Sequence, residues 1–237
     1  MQGYDSSVAR RYAERYRGPL KEYFASQEDR FVLNQEFRGQ TVLDIGSGPG
    51  RYAQALANAG VAQLVCCDIS VEMLRGDAAT AIPGISRVAT DANCLSVASN
   101  SVDIVLAIGL FEGMTTLQPC LAEMRRVLRR GGTITLTCWN ANRWYRLGWL
   151  DGRRAASVSF HIGDIERELQ FAGFSVVESH SYLWLPRRLF WIGYRAASMT
   201  AFRWVYVHAC NIFARIIEAV PGASGRGWAL AITAEKR

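Results

Sequence analysis

The sequence predicts an α/β protein built on a doubly wound, mostly parallel sheet. Short apolar segments alternate with longer helical segments along the 237 residues, which is the pattern of βαβ units. The segment 102–108 is almost continuously apolar, as expected for a strand covered by helices on both faces. Glycine and proline separate the segments, for example at Gly60 and Gly173. The length suffices for one substantial α/β domain with an inserted cap.

The alternation predicts the following elements in chain order. The strands are 41–45, 63–68, 86–90, 102–109, 133–140, 175–185 and 228–236. The helices between them are 52–59, 71–75, 116–130 and 164–172. Two more helical pieces, broken at Gly18-Pro19, occupy residues 5–37.

These elements divide the chain into three parts. They are a helical unit at 1–38, an α/β domain formed by 39–185 and 227–237, and a helical insertion at 186–226. The insertion is rich in aromatic residues and arginine. Its longest stretch without Arg, Lys, Asp or Glu is 204–214, which is far shorter than the roughly 20 residues that cross a bilayer. We therefore expect no transmembrane segment.

Composition indicates a globular protein with reduced thiols. Half of the residues are hydrophobic and a fifth are charged. The six cysteines form no Cys-x-x-Cys pair and mostly lie in apolar runs, which favours buried thiols over disulfides or a zinc site. Residues 1–20 contain no apolar signal region, so a cytoplasmic location is expected.

The net charge of +6 is unevenly distributed along the chain. Residues 1–140 carry 14 basic and 14 acidic residues, whereas 141–237 carry 13 basic and 7 acidic ones. Arginine makes up 25 of the 27 basic residues, and its planar guanidinium suits carboxylate and phosphate. An anionic substrate or surface is one explanation. A solvated arginine-rich face is the other.

A glycine-rich turn, Asp44-Ile45-Gly46-Ser47-Gly48-Pro49-Gly50, directly follows the first predicted strand. Glycine lets a backbone turn tightly and approach a ligand closely. Two further acids follow strands: Asp68 ends the second and Asp91 follows the third. An acid like Asp68 accepts hydrogen bonds from ribose hydroxyls in nucleoside-binding α/β folds. The alternative is that these aspartates only form turns.

The ordered motifs make the chain resemble the class I S-adenosylmethionine-dependent methyltransferases of small-molecule type. The resemblance covers about residues 4–180 and the final strand near 227–230. The glycine turn resembles the family's cofactor motif, Asp68 its ribose acid, and Asp91-Ala92 its adenine-contacting pair. A Rossmann dehydrogenase competes for the turn, but it prefers Gly-x-Gly-x-x-Gly, and here the third glycine comes one residue sooner.

The resemblance implies a Rossmann-like seven-stranded sheet with an antiparallel last strand and a helical cap inserted before it. It also implies that the N-terminal helices form a lid over S-adenosylmethionine. The expected cofactor-binding residues are Tyr16, Asp44, Gly46, Ser47, Gly48, Gly50, Arg51, Asp68, Ile69, Asp91, Ala92 and Ile108. Tyr16 and Arg51 are expected at the methionine carboxylate.

The sequence names two weak catalytic candidates. A general base is needed only for an acceptor group that is protonated at working pH. His161 precedes the helix 164–172, and Glu112 follows the fourth strand, where the family places the acceptor. A capping or loop role for His161 and a solvated turn role for Glu112 are the alternatives. No metal is expected, because the three histidines have no ligand spacing.

The acceptor is expected at the segments that follow strands five and six, because parallel strands end at the ligand edge. Their tryptophans predict a lipophilic or aromatic metabolite as the acceptor, and their arginines would also accommodate an anionic group on it. The expected acceptor-binding residues are Phe111, Trp139, Trp144, Tyr145, Trp184 and Trp191.

Several alternatives remain open at this stage. Residues 186–226 form a substrate lid, a membrane-surface helix pair or an oligomer interface. The acceptor is a biosynthetic metabolite or a membrane-associated lipid or quinone-like molecule. RNA methylation, nicotinamide-dependent oxidation and non-catalytic cofactor binding are further candidates; nucleic acid is disfavoured because only two lysines occur.

Overall fold

A computed structural model describes residues 19–75, 82, 84–114, 116–142, 158–183, 192, 200–220 and 226–237. These residues form one seven-stranded sheet in the order β3-β2-β1-β4-β5-β7-β6. The strands are β1 (Thr41–Ile45), β2 (Gln63–Asp68), β3 (Ile85–Ala89), β4 (Val102–Ile108), β5 (Leu128–Trp139), β6 (Phe174–Tyr182) and β7 (Ala229–Lys236). β7 runs antiparallel to both β5 and β6, and the other paired strands are parallel. The predicted Rossmann-like sheet is confirmed.

Six α-helices lie among the described residues. They are α1 (Pro19–Val32), α2 (Ala53–Asn58), α3 (Val71–Leu74), α4 (Gln118–Val127), α5 (Ile162–Phe171) and α6 (Thr200–Glu218). A 3₁₀ helix (Leu110–Gly113) follows β4. α6 lies between β6 and β7 in the chain, within the predicted helical insertion, whose bounds at 186–226 stay a prediction.

Alternate residues of the central strands point to opposite faces of the sheet. Val42 and Leu106 pack with residues of α2, whereas Leu43 and Val105 pack with residues of α4 and α5. Both faces are therefore buried, which explains why the strand sequences are almost continuously apolar. A third cluster joins α1, α6 and the adjacent ends of β6 and β7 around Tyr182.

Several element boundaries differ from the prediction, and two of these differences have a local structural cause. The helix expected at 116–130 ends at Val127, and β5 begins at the next residue, Leu128. Pairing of β5 with β4 is irregular here, so Gly131-Gly132 lies in a bulge of the strand rather than at its start. β6 ends at Tyr182, and Leu183 has a positive φ of 63°, which stops the extended conformation before 185.

Candidate active site

The candidate site lies at the edge where the parallel strands end. The strand order reverses between β1 and β4, and ligands of open α/β sheets bind outside the carboxyl ends at such a point. The glycine turn leaves β1 here, and Gly109 leaves β4. Asp44 of β1 pairs with Leu106 of β4, so the two exits are neighbours.

Backbone hydrogen bonds and glycine geometry shape the turn. Gly46, Gly48 and Gly50 have φ values of 72°, 55° and 85°. The N–H groups of Gly46 and Ser47 donate to the Cys67 carbonyl at 2.7 and 2.9 Å. A Cβ on Gly46 would lie 2.9 Å from Cδ1 of Leu110. Position 46 therefore requires glycine both for its φ and for its close approach to the chain after β4.

Asp68 supports the glycine turn through one carboxylate oxygen and its own loop after β2 through the other. Oδ2 accepts a hydrogen bond from the Gly48 N–H at 3.0 Å, and Oδ1 accepts one from the Ser70 N–H at 2.9 Å. Burial raises the pKa of this carboxyl, and the backbone N–H groups oppose the rise. The next residue, Ile69, is half exposed beside it. Asp68, the predicted ribose-binding acid, thus connects the glycine turn after β1 with the loop after β2.

Asp44 near the end of β1 and Ser47 in the glycine turn are polar residues that are buried. Burial raises the pKa of Asp44 to about 7; the nearby Asp68 carboxylate adds to the rise, and Arg51 opposes it. Apart from the weakly polar Cys66 thiol, no group in the described part of the chain pairs with the Ser47 hydroxyl oxygen. A buried hydroxyl in this condition is a contact that a polar ligand can satisfy.

Glu28 of α1 lies at the centre of a polar network at the same edge. Its Oε1 accepts hydrogen bonds from the Tyr182 hydroxyl at 2.7 Å and from the Thr137 hydroxyl at 3.0 Å. Its Oε2 forms an ion pair with Arg51. Thr137 Oγ1 in turn accepts a hydrogen bond from the Gly109 N–H at 3.1 Å. The network connects α1 with the turn after β1 and with the ends of β4, β5 and β6.

Arg51 is occupied by protein carboxylates in this structure. Besides Glu28 it binds Asp29 at 3.0 Å, and its guanidinium lies over the Tyr52 ring. The side chain sits where the turn meets α1. The predicted contact of Arg51 with the methionine carboxylate stays a prediction. In this arrangement the guanidinium would bind that carboxylate in addition to Glu28 and Asp29.

Asp91 forms a local turn at the end of β3. Its Oδ1 accepts hydrogen bonds from the backbone N–H and the side-chain amide of Asn93 at 2.8 and 2.9 Å. Ala92 is buried. Turn formation is therefore one role of Asp91, and its predicted adenine contact stays untested.

Residues after β4 divide between the core and the edge. Ile108 is half-buried at the end of the strand. Phe111 is completely buried in the core cluster with α4 and α5, so packing accounts for it. Glu112 lies close to Gly109, where a Cβ would be 3.5 Å from its Oε1. The predicted roles of Ile108 and Glu112 at this edge stay predictions.

His161 begins α5 but does not cap it through its side chain. Its carbonyl accepts hydrogen bonds from the Asp164 and Ile165 N–H groups, while the imidazole is exposed and makes no capping bond. Side-chain capping therefore does not explain this residue. Its predicted catalytic role stays a prediction.

Trp139 is the predicted acceptor-binding residue at the end of β5. Its ring stacks on that of Trp228 with centroids 5.2 Å apart. The remaining predicted contacts lie outside the described residues; they are Tyr16, Trp144, Tyr145, Trp184 and Trp191.

The cysteines occur as free thiols, five of them buried and Cys94 exposed. No group of three or more His, Cys, Asp or Glu side chains suited to a metal ion occurs within the described ranges. A separate cleft lies at the opposite edge of the sheet, beside Asp103 and Arg129, whose side chains bind each other at 2.6 Å. Because it adjoins the start of β1 rather than its carboxyl end, we assign it no part in the site.

Residues 43–136 match the family of the methyltransferase domain. The match begins in β1 and ends in β5, and it includes the glycine turn, Asp68 and Asp91. Residues 43–136 therefore carry the sequence of a methyltransferase domain.

Relatives in sequence match part of the chain rather than all of it. An uncharacterized methyltransferase of Mycobacterium ulcerans is 39% identical over 104 residues, which are 43% of this chain and 40% of the relative. A malonyl-[acyl-carrier protein] O-methyltransferase of Methylococcus capsulatus is 28% identical over 143 residues, 57% of this chain and 52% of the relative. The chain thus spans about half of the length of these curated relatives.

Solved structures share the fold of the methyltransferase domain. An S-adenosylmethionine-dependent methyltransferase from Mesorhizobium loti has a TM-score of 0.61 at 16% identity, covering 85% of this chain and 93% of that one. A phosphoethanolamine N-methyltransferase 2 from Haemonchus contortus, in complex with S-adenosyl-L-methionine, has a TM-score of 0.65 at 17% identity. It covers 98% of this chain and 57% of that one. At these identities the likeness concerns the fold alone.

The sequence did not predict Glu28 as a residue of the candidate site. It lies in a helix whose charged residues look like a solvated face, and its partners Arg51, Thr137 and Tyr182 are 23 to 154 residues away. The available signal was indirect: Thr137 is a polar residue within an apolar strand that ends at the ligand edge.

Proposed function

We propose that this protein transfers the methyl group of S-adenosylmethionine to a small lipophilic or aromatic acceptor. The observation that carries the proposal is the glycine turn braced by Asp68 at the switch point of the sheet, within residues that match the methyltransferase domain. S-adenosylmethionine, when bound, supplies a methyl group that its sulfonium already activates.

The residues at the edge fit this cofactor chemically. Asp68 offers carboxylate oxygens for ribose hydroxyls, and half-exposed Ile69 offers an apolar surface beside them. The buried Ser47 hydroxyl is a further polar contact. Gly46 leaves the space that a side chain would close. These residues would hold the cofactor, with Asp44, Gly48, Gly50, Arg51, Asp91, Ala92 and Ile108 as the remaining proposed contacts.

Glu28 and its partners keep α1 over the edge. The carboxylate accepts hydrogen bonds from Thr137 and Tyr182 and pairs with Arg51, so α1 is connected to β5, to β6 and to the turn after β1. Holding the helix there excludes water and helps to orient the acceptor, which are the main tasks of the protein in this reaction. Burial raises the pKa of the Tyr182 hydroxyl well above its usual value, so it remains a neutral donor.

The acceptor would bind near the ends of β4 and β5, against Trp139, whose ring stacks on the buried Trp228. If the acceptor group is a hydroxyl, Glu112 is the better-placed base and His161 is the alternative. The malonyl-[acyl-carrier protein] O-methyltransferase and the phosphoethanolamine N-methyltransferase carry different acceptor types in their names. The choice between oxygen and nitrogen as acceptor atom is therefore left to experiment.

A membrane-associated lipid or quinone-like acceptor is the second candidate. The observation that favours it is the apolar stripe of α6, a row of exposed large side chains at Phe202, Val205, Ile212, Phe213 and Ile216. A protein resting on a membrane through α6 would meet such an acceptor directly.

Transfer of a radiolabelled methyl group tests the proposal and separates these acceptors. The purified protein is incubated with labelled S-adenosylmethionine and a cell extract, and the label is then divided into organic-soluble, water-soluble small-molecule and acid-precipitable fractions. We expect protein-dependent label in the organic-soluble or small-molecule fraction. The Asp68→Ala variant should transfer less, while Asp103→Ala, which alters an aspartate at the opposite edge, should match the wild type.

Two results would contradict the proposal. Nuclease-sensitive label in the precipitable fraction would make nucleic acid the acceptor. Absence of transfer together with binding of a nicotinamide dinucleotide would make the site an oxidoreductase site.

A further inference from the structure

One face of α6 is fixed to the rest of the protein. Val207, Cys210 and Ala214 are buried, and Asn211 accepts a hydrogen bond from the Gln27 amide of α1 at 2.7 Å. Glu218 at the end of the helix forms an ion pair with Arg30 of α1. This face explains how the helix is held, whereas several large apolar side chains on the opposite face are exposed in the described part of the chain.

The opposite face carries the apolar stripe. Phe202, Ile212 and Ile216 are 61%, 58% and 60% exposed. At 100° per residue, the stripe members and Val220 fall within a sector of about 100° on the helix surface. Single exposed apolar residues are ordinary on protein surfaces, but a continuous row of this size marks an interaction surface.

Charge indicates which partner fits the stripe. Residues 186–226 contain six arginines and one acidic residue, Glu218, and the structure pairs that glutamate with Arg30. Exposed Arg215 lies at the flank of the stripe by helical geometry. A second copy would carry the same net positive charge in its own residues 186–226, so association through this insertion costs electrostatic energy. An anionic surface gains energy from the same charges.

The helix has the properties of an interfacial element rather than a spanning one. None of the helices in the described part of the chain is long and apolar enough to cross a membrane. An amphipathic helix with aromatic and aliphatic residues on one face and arginine beside them lies in the plane of the headgroups.

We propose that the apolar stripe of α6 binds the surface of an anionic lipid bilayer. The apolar side chains enter the headgroup region, and Arg215 at the flank of the stripe contacts the lipid phosphates. α6 packs on α1, which carries Glu28, so docking brings the candidate active site close to the membrane. The binding is independent of the proposed methyl transfer.

Vesicle co-sedimentation tests the proposal without cofactor or acceptor. The full chain is mixed with phosphatidylcholine vesicles or with vesicles containing about 30% phosphatidylglycerol. We expect binding to the anionic vesicles that weakens as salt increases, and little binding to the neutral ones.

Matched double variants isolate the stripe. Ile212→Asp with Ile216→Asp changes two exposed stripe residues, and Phe171→Asp with Val177→Asp changes two exposed apolar residues elsewhere, at 82% and 62% exposure. Both pairs add the same charge. We expect the stripe pair to lower the partition coefficient at least about tenfold, because two apolar insertions are lost, and the control pair to leave it near the wild-type value.

Three results would overturn the proposal. They are wild-type protein that stays in solution with anionic vesicles, equal losses in both double variants, and a wild-type dimer that the stripe pair dissociates. Unfolding temperatures check that every variant is folded. The uncharged Ile216→Gln variant, expected to bind more weakly than wild type, provides a second test of the apolar contact.

Discussion

Replacing Asp68 by alanine is the most informative perturbation of the site. The carboxylate accepts hydrogen bonds from the N–H groups of Gly48 and Ser70, so the change leaves two backbone donors without these acceptors. If Asp68 also binds the ribose, the same change removes a charged acceptor from the cofactor. The two effects appear in different measurements.

The magnitudes follow from the number of contacts. Loss of the two backbone contacts lowers the free energy of unfolding by about 1–3 kcal/mol, and relief of the buried charge offsets part of it. Loss of a charge-assisted hydrogen bond to the ligand costs about 1.5–3 kcal/mol, which corresponds to roughly 10- to 150-fold weaker binding.

Asp103 supplies the matched control. Its Oδ2 accepts a hydrogen bond from the Thr41 N–H at 2.8 Å, so it supports the start of β1 as Asp68 supports the turn after its end. Urea unfolding should show comparable destabilisation for Asp68→Ala and Asp103→Ala. Calorimetric titration with S-adenosylhomocysteine should show weakened binding only for Asp68→Ala. Binding within about threefold of wild type for Asp68→Ala, or equal loss in both variants, would refute the ribose role.

Other substitutions test separate parts of the site. Burial raises the pKa of Asp44 to about 7, so the folded state holds this proton more tightly than the unfolded state. Stability should therefore fall as pH rises from about 4 to 7, by up to about 4 kcal/mol, and urea titrations of Asp44→Asn should lack this part of the decline. Gly46→Ala should weaken S-adenosylhomocysteine binding and lower the melting temperature, because its φ is positive and its Cβ would meet Leu110; unchanged calorimetric affinity would exclude a close backbone approach. Glu28→Gln removes the charge facing Arg51 while keeping a hydrogen-bond acceptor. It should raise the activation free energy calculated from kcat by more than it lowers the free energy of unfolding, and an unchanged kcat would show that Glu28 has only a structural role. His161→Ala should lower turnover without altering the melting temperature if the residue is a base, whereas normal turnover would exclude that role.

The glycine turn and its contact with Asp68 were predictable because their signals are local. A strand, three alternating glycines and an acid at the end of the next strand lie within residues 41–68, and the structure brings them to one edge. The sheet was equally predictable, because strands covered on both faces appear in the sequence as nearly continuous apolar segments. Even the early start of β5 at Leu128 was a boundary error rather than a missing element.

The Glu28 network was not predictable in the same way. Its members come from α1, the turn after β1, β5 and β6, and only tertiary packing places them together. The roles of Phe111 and Asp91 likewise depend on packing: Phe111 faces the core, and Asp91 is engaged by Asn93. Local sequence records the residue type at such positions but not the direction of the side chain.

Isothermal titration calorimetry of the wild-type chain with S-adenosylhomocysteine is the most direct test of the site at Asp44–Gly50. We expect saturable binding of one ligand per chain and no measurable heat with NAD⁺ or NADP⁺. Saturable binding of a nicotinamide dinucleotide with no response to S-adenosylhomocysteine or S-adenosylmethionine would contradict the assignment.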